Sequence, residues 1–337
     1  MAKIFVTRNI PGNHLEKLKE AGLEVKVSEL DRPLTSSELV ENIKGMDGVL
    51  SLLTDKFDGD VMDAAGPSLK IISNYAVGFD NIDIPSATKR GIVVTNTPSD
   101  EVNEAVAEHT WALILALARR VVESDEFVRN QGYFAGTGGY KGWEPDLFLG
   151  RSIKGKTLGI IGLGRIGSMV AKKAQGYGMK VLYNKHNREN PDTEKELGVI
   201  YSSLDELLKT SDFISLHVPL TDETRGMINI DAFEKMKEGA YLVNTARGPV
   251  VEESDLIEAL KRGILKGAAL DVFESEPNIN PEFLSMPNVI LTPHIASATV
   301  EARNKMGEMA VNSIINIFSD KKPENLVDEN VWEIRRK

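Results

Sequence analysis

The stretch GKTLGIIGLGRIGSMVAKKAQGYG, residues 155–178, sets Gly162, Gly164 and Gly167 between a short apolar run and a stretch with helical spacing. In a strand–turn–helix each glycine has its own task. Gly162 permits the tight turn, Gly164 lets the backbone approach a pyrophosphate, and Gly167 lets helix and strand pack closely. The helix N-terminus then faces the anion. With a strand before and a helix after, this spacing is a specific signal for dinucleotide binding, and Arg165 and Ile166 between the glycines join the expected cofactor contacts. GTGGYKG, which starts at Gly136, lacks the spacing, follows no strand and runs on to Pro145, so it reads as loop.

Apolar segments of strand length recur on both sides of this turn. Before it they lie at residues 3–7, 24–27, 48–53, 70–75 and 93–96; after it begins, at 157–161, 180–183, 213–218, 241–244, 268–272 and 289–291. Helical patterns fill the gaps, an alternation that predicts mostly parallel sheets covered on both faces. One long helical run is expected from Glu101 to about Arg129 and another from about Val300 to Phe318. Between the two sets, residues 132–148 are rich in Gly and aromatics and read as an exposed arm. The charged tail after Lys321 is expected to be loosely held. The length of 337 residues suits two such α/β units.

Composition removes several classes of function. The formal charge is 40 − 50 = −10, which repels a polyanion, so nucleic acid is not an expected partner. No apolar run reaches the roughly 18 residues that cross a bilayer, and the opening MAKIFVTRNIPG lacks the longer apolar core of a signal peptide. No membrane partner and a cytoplasmic location are therefore expected. With no cysteine there is no disulfide, thiolate metal site or Cys nucleophile. No set of His, Asp and Glu has metal-ligand spacing, and no metal is expected.

The strand after the glycine turn, KVLYN, ends at Asn184. An acidic residue about twenty positions past the glycines would hold the adenosine ribose of NAD(H). Here 185 − 167 = 18, and the place belongs to Lys185, followed by His186, Asn187 and Arg188, with no carboxylate before Glu189. Lys185 and Arg188 can neutralise a 2′-phosphate, so NADP(H) is favoured and NAD(H) remains possible.

Three later segments place polar residues at or just past apolar strands: NTARGPVVEESDL with Arg247, AALDVFESEP with Glu276, and NVILTPHIASAT with His294. Ligands of open α/β sheets bind outside the carboxyl ends of strands. Reduction of a carbonyl compound by a nicotinamide requires the substrate held, the carbonyl polarised and its oxygen protonated as hydride arrives. The planar guanidinium of Arg247 suits the first two tasks. An imidazole, titrating near ~6.5 when unperturbed, suits the third, and a carboxylate beside one ring nitrogen fixes its orientation and favours its charged form. His109, inside a helical run, and His217, in an apolar strand, read as structural histidines.

Together with YAVGFDNID from Tyr75, VAEHTWALILALAR and HVPLTDETRG, these strings closely resemble the D-isomer-specific 2-hydroxyacid dehydrogenases, within them the glyoxylate and hydroxypyruvate reductase branch. The resemblance implies two Rossmann-like or flavodoxin-like domains with parallel sheets, the cofactor domain inserted into the substrate domain. Residues 1–99 with 293–337 would form the substrate domain. Residues 100–292 would form the dinucleotide-binding domain, with a dimerisation arm near 100–150. It further implies Arg247, Glu276 and His294 as catalytic residues, with the substrate meeting Leu53, Val77, Gly78 and Arg247. Trp143 of YKGW resembles the aromatic that the branch lends to the partner subunit's pocket, which implies a homodimer. Further cofactor contacts are implied at Val218, Pro219, Thr224, Thr245, Ala246, Asp271, His294 and Ala296. Hinges are expected near Thr97 and Pro98 and near Thr292 and Pro293.

The expected activity is thus NADP(H)-favouring reduction of glyoxylate or hydroxypyruvate. Alternatives are a dehydrogenase of another D-2-hydroxy acid such as lactate, phosphoglycerate or a branched acid, or a cofactor-sensing, corepressor-like binding protein.

Overall fold

The computed structural model describes residues 1–130 and 143–337. Its backbone contacts divide the chain into two units, one formed by Met1–Val102 and Ala298–Lys337, the other by Asn103–Ser297. These divisions fall three and five residues beyond the expected 99/100 and 292/293.

The first unit carries β1 (Lys3–Val6), α1 (His14–Glu20), β2 (Glu24–Val27), α2 (Ser36–Ile43), β3 (Gly48–Ser51), α3 (Gly59–Ala65), β4 (Ile71–Asn74), α4 (Ile84–Lys89) and β5 (Val93–Thr95). Its sheet is parallel, in the order β2-β1-β3-β4-β5. β3 and β4 are buried at every position, the reason both read as unbroken rather than alternating runs. Phe5, Leu39, Val49, Met62 and Ile72 build the core on one face. α2 begins with a capping box in which Thr35 and Glu38 satisfy each other's backbone amides.

α5 (Asp100–Arg119) runs from the end of the first unit into the second, which continues through α6 (Val121–Arg129), β6 (Thr157–Ile161), α7 (Arg165–Gly176), β7 (Lys180–Asn184), α8 (Pro191–Leu197), β8 (Val199–Tyr201), α9 (Leu204–Thr210) and β9 (Phe213–Leu216). α10 (Ile230–Lys235), β10 (Ala240–Asn244), α11 (Glu253–Lys261), β11 (Leu265–Leu270) and β12 (Val289–Leu291) complete it. Seven parallel strands run in the order β12-β11-β10-β9-β6-β7-β8. Strand order reverses at β6, which lies between β7 and β9, so the glycine turn leaves the sheet at its switch point. Phe233, Leu242 and Leu256 pack on one face. Ile160, Val170 and Trp111 pack on the other, the indole donating to the Val170 carbonyl at 3.1 Å.

The chain returns to the first unit in α12 (Val300–Phe318), which packs against β3, β4 and α1, and in α13 (Val331–Ile334).

Three local expectations are corrected. The run expected from Glu101 to Arg129 is two helices, because Arg120 adopts a left-handed φ of 54° and the amide of Arg151 takes the Ala118 carbonyl at 2.7 Å. β8 is an extra strand whose three residues were too few to show a period. The tail is held, not loose: Val331 is buried, the Val327 amide donates to Val94, and the Arg336 guanidinium donates to the carbonyls of Gly66, Leu69 and Arg90. Of the expected arm, residues 132–142 lie outside the described residues; 143–148 hold neither helix nor strand. Among the described residues no helix is long and apolar enough to cross a membrane.

Candidate active site

The glycine turn is built as its spacing demands. Gly162 has φ 99°, and a Cβ there would lie 2.7 Å from the His217 carbonyl; a Cβ on Gly167 would lie 2.2 Å from the Gly162 oxygen. Gly164 differs. A Cβ there would meet no protein atom within 4 Å, so the fold itself does not require glycine at that position. The space is what a closely approaching ligand backbone contact needs. Gly164 is also the N-cap of α7 and brings no side chain to the first-turn amides, next to Arg165 and Ile166. Those amides suit a pyrophosphate. The residues present therefore fit a dinucleotide.

Beyond β7, Lys185 is half-buried and His186, Asn187 and Arg188 are exposed. Both cations are already paired. Lys185 contacts Glu189, and Arg188 grips Glu194 through two contacts of 2.8 Å. Arg188, with the Tyr183 hydroxyl, holds the Glu194 carboxyl down to about 2. The Thr224 hydroxyl donates to the Pro219 carbonyl at 2.6 Å, closing the loop that follows Val218.

At the end of β10, Asn244 shapes the turn that displays Arg247. Its side-chain amide donates to the Arg247 carbonyl at 2.9 Å and its oxygen accepts from Ala246 at 3.0 Å. The Arg247 guanidinium is half-buried and donates to the Ala246 carbonyl at 2.7 Å. Thr245, buried beside it, meets the hydroxyl of Thr110 at 2.9 Å. Gly248 then lies against the next loop so closely that a Cβ would fall 1.9 Å from the Phe273 carbonyl. This contact brings the Arg247 turn onto the loop carrying Glu276. Glu253 steadies the same loop by accepting from the Glu274 amide at 2.8 Å, while burial pushes its carboxyl upward.

Glu276 accepts from the Phe273 amide through Oε1 at 3.0 Å and meets His294 Nδ1 through Oε2 at 2.8 Å. Their side chains remain 26% and 28% exposed for His294 and Glu276, so a small substrate can reach the ring. A carboxylate only accepts, hence Nδ1 carries the hydrogen in this contact and Nε2 is the ring nitrogen that Glu276 does not engage.

Asp271, just past β11, is fully buried. Burial pushes its carboxyl upward, but His109, Thr292 and the amides of Ile295 and Ala296 outweigh this and hold it below the usual carboxylate range. It thus organises the loop of His294 and Ala296, a task not read from the sequence. The structure joins Glu276 to His294, and Asp271 to Ala296, directly.

In the first unit, the Asn96 side chain donates to the Val77 carbonyl at 2.7 Å and that of Asn74 to the Gly78 carbonyl at 2.9 Å, fixing the peptide planes expected to receive a carboxylate. Asn81 ties this turn to the Leu52 and Asp55 carbonyls at 3.2 and 2.9 Å, next to the half-buried Leu53. These asparagines were missed; the available signal was amide side chains at or near strand ends. Trp143 is 85% exposed. Among the described residues no three His, Asp or Glu could hold a metal ion.

A doubly wound parallel sheet with a dinucleotide turn at its switch point and an Arg, Glu and His set past its strand ends defines an NAD(P)-dependent oxidoreductase. Residues 111–296 match the model of the D-isomer specific 2-hydroxyacid dehydrogenase NAD-binding domain. The glyoxylate reductase of Thermococcus kodakarensis is 46% identical over 334 residues, 99% of this chain and 98% of the relative. A structure of the NADPH-dependent glyoxylate/hydroxypyruvate reductase of Sinorhizobium meliloti with NADP and malonate superposes with TM-score 0.84 at 33% identity, covering 100% of this chain and 99% of that one. The D-lactate dehydrogenase of Aquifex aeolicus, solved with NAD and lactic acid, gives 0.81 at 35% identity, covering 96% and 98%. The chain belongs to the D-isomer specific 2-hydroxyacid dehydrogenase family.

Proposed function

We propose that the protein reduces glyoxylate, and hydroxypyruvate as a close second, to the corresponding 2-hydroxy acid, favouring NADPH over NADH. The observation that carries the chemistry is the 2.8 Å contact from His294 Nδ1 to Glu276, which leaves Nε2 to give its proton to the keto oxygen. The full-length likeness to glyoxylate reductases supports the substrate class.

When bound, the reduced nicotinamide supplies the hydride that becomes the new C–H bond. Gly162, Gly164, Gly167 and the first turn of α7 would hold its pyrophosphate. Arg247 holds the substrate carboxylate and draws electron density toward the keto oxygen. His294 starts as imidazolium, gives one proton to that oxygen and ends neutral; Glu276 stabilises the charged ring and holds its plane. In oxidation His294 accepts the hydroxyl proton.

Lys185 and Arg188 carry the NADPH preference, and since each is paired within its own loop, NADH is expected to retain measurable activity. A homodimer belongs to the same reading, supported by exposed Val121, Val122 and Val128 on α6 and by Leu149 and Trp143 beyond it. The test is a steady-state panel of NADPH and NADH against glyoxylate, hydroxypyruvate, pyruvate and a branched keto acid. Highest kcat/KM for glyoxylate with NADPH supports the reading; a clear preference for pyruvate or the branched acid transfers it to another D-2-hydroxy acid.

A further inference from the structure

We infer that His109 of α5 is a positioning residue for His294, acting through the hydroxyl of Thr292. The inference rests on the reading of His294 as proton donor.

His294 stands at φ 53°, in the left-handed region that a residue with a side chain adopts only when its surroundings over-determine it. Asp271 supplies that determination. Its backbone carbonyl accepts from the His294 amide at 2.8 Å, its Oδ1 accepts from Ile295 at 2.9 Å, and its Oδ2 accepts from Ala296 at 2.8 Å. The fourth link is the Thr292 hydroxyl, which donates to Oδ1 at 2.6 Å. A hydroxyl has one hydrogen. With it committed to Asp271, Thr292 Oγ1 can only accept from His109 Nε2, 3.1 Å away. His109 therefore carries its hydrogen on Nε2, which also lies 3.5 Å from Asp271 Oδ1. The result is a directed chain from His109 N–H to Thr292 O–H to the buried Asp271 carboxylate, whose members strengthen one another. Without His109 the Thr292 rotor loses its bias and Asp271 its aligned donor. The loop then holds the His294 ring less firmly against Glu276.

The first measurement needs no variant. Ring ¹⁵N shifts in the ligand-free protein should show Nε2–H at residue 109, and an Nδ1–H tautomer there overturns the proposal. Next, His109→Leu and Thr292→Val should lower kcat about 10- to 100-fold, the scale of a misplaced reacting group, a larger change than in cofactor Kd or substrate KM. In the same ligand-free variants the low-field Nδ1–H resonance of His294, assigned by its loss in His294→Gln, should weaken or broaden. His109→Gln, which keeps a donor at similar reach, should recover most of the loss. Parental kcat and an unchanged His294 resonance in both His109→Leu and Thr292→Val overturn the proposal, as does failure of His109→Gln to exceed His109→Leu. Normal turnover in His294→Gln would instead sink the proton-donor reading, an outcome separable from the others.

Discussion

His294 and Glu276, eighteen residues apart, meet through Nδ1 and Oε2 at 2.8 Å, and this one contact fixes which ring nitrogen holds its hydrogen toward the carboxylate. His294→Ala removes the proposed proton donor and should lower kcat about 10²- to 10⁴-fold, far more than it weakens cofactor binding. Glu276→Gln keeps an acceptor for Nδ1–H but not its charge, so its loss of kcat should be smaller. Stopped-flow turnover beside fluorescence titration of the cofactor separates the two effects.

Two glycines make opposite predictions. Alanine at Gly164 meets no protein atom within 4 Å, so Gly164→Ala should lower stability by no more than the small cost of alanine at an N-cap, about 1 kcal/mol. Its methyl group would intrude on a pyrophosphate held at the proposed site, and cofactor Kd should rise about tenfold or more, equivalent to roughly 1.4 kcal/mol. Alanine at Gly248 would place a methyl 1.9 Å from the Phe273 carbonyl. Gly248→Ala should cost about 1–3 kcal/mol or more in stability and push the Arg247 turn away from the Glu276 loop, lowering kcat/KM as well. Calorimetry and cofactor titration on both variants check the contrast.

On the proposed reading, the loop after β7 selects the cofactor by charge. Lys185→Asp with Arg188→Ala removes both cations and adds an acceptor suited to a ribose 2′-hydroxyl, so the ratio of kcat/KM for NADPH to that for NADH should fall. The variant also frees Glu189 and Glu194, the present partners of those cations, and their charge adds to the repulsion of a 2′-phosphate. An unchanged ratio would remove both residues from 2′-phosphate recognition.

Much of this was legible in the chain because its signals are local. The glycine turn is a contiguous pattern between a period-free apolar strand and a helical run, and both survive as β6 and α7. Arg247, Glu276 and His294 stood out because strand ends in such sheets carry function. What stayed hidden depends on contacts between distant segments. Nothing near Gly248 in sequence announces that Phe273 will press against it, and Asp271 reveals its hold on residues 292–296 only when β11 and β12 lie side by side. The break at Arg120 was equally silent, because the amide that takes the Ala118 carbonyl comes from Arg151. The tail looked loose because its anchors, Val331 and the Arg336 guanidinium, are isolated residues in a charged stretch.

His217 lies under the glycine turn with Nε2 2.8 Å from Ser215 Oγ, and burial pushes its imidazole down to about 3. The sign of its effect on stability follows from that depression. Above about pH 6.5 the ring is neutral in both native and unfolded chains and its contribution is fully present. As pH falls below this, the unfolded chain takes up a proton that the native one refuses. Stability then drops by up to about 1.4 kcal/mol per pH unit until the native ring itself titrates near 3. Asp271 acts lower: its depressed carboxyl stabilises the fold above its unfolded value of about 3.9 and loses that contribution only as pH falls further, through its folded value. Between pH 6 and 4 the two are therefore separable. Urea unfolding of the parent and of His217→Gln across that range should show a shallower loss of stability in the variant, whatever its value at pH 7. Parallel slopes would mean that the ring is already protonated in the folded protein and that its burial is not what holds it neutral.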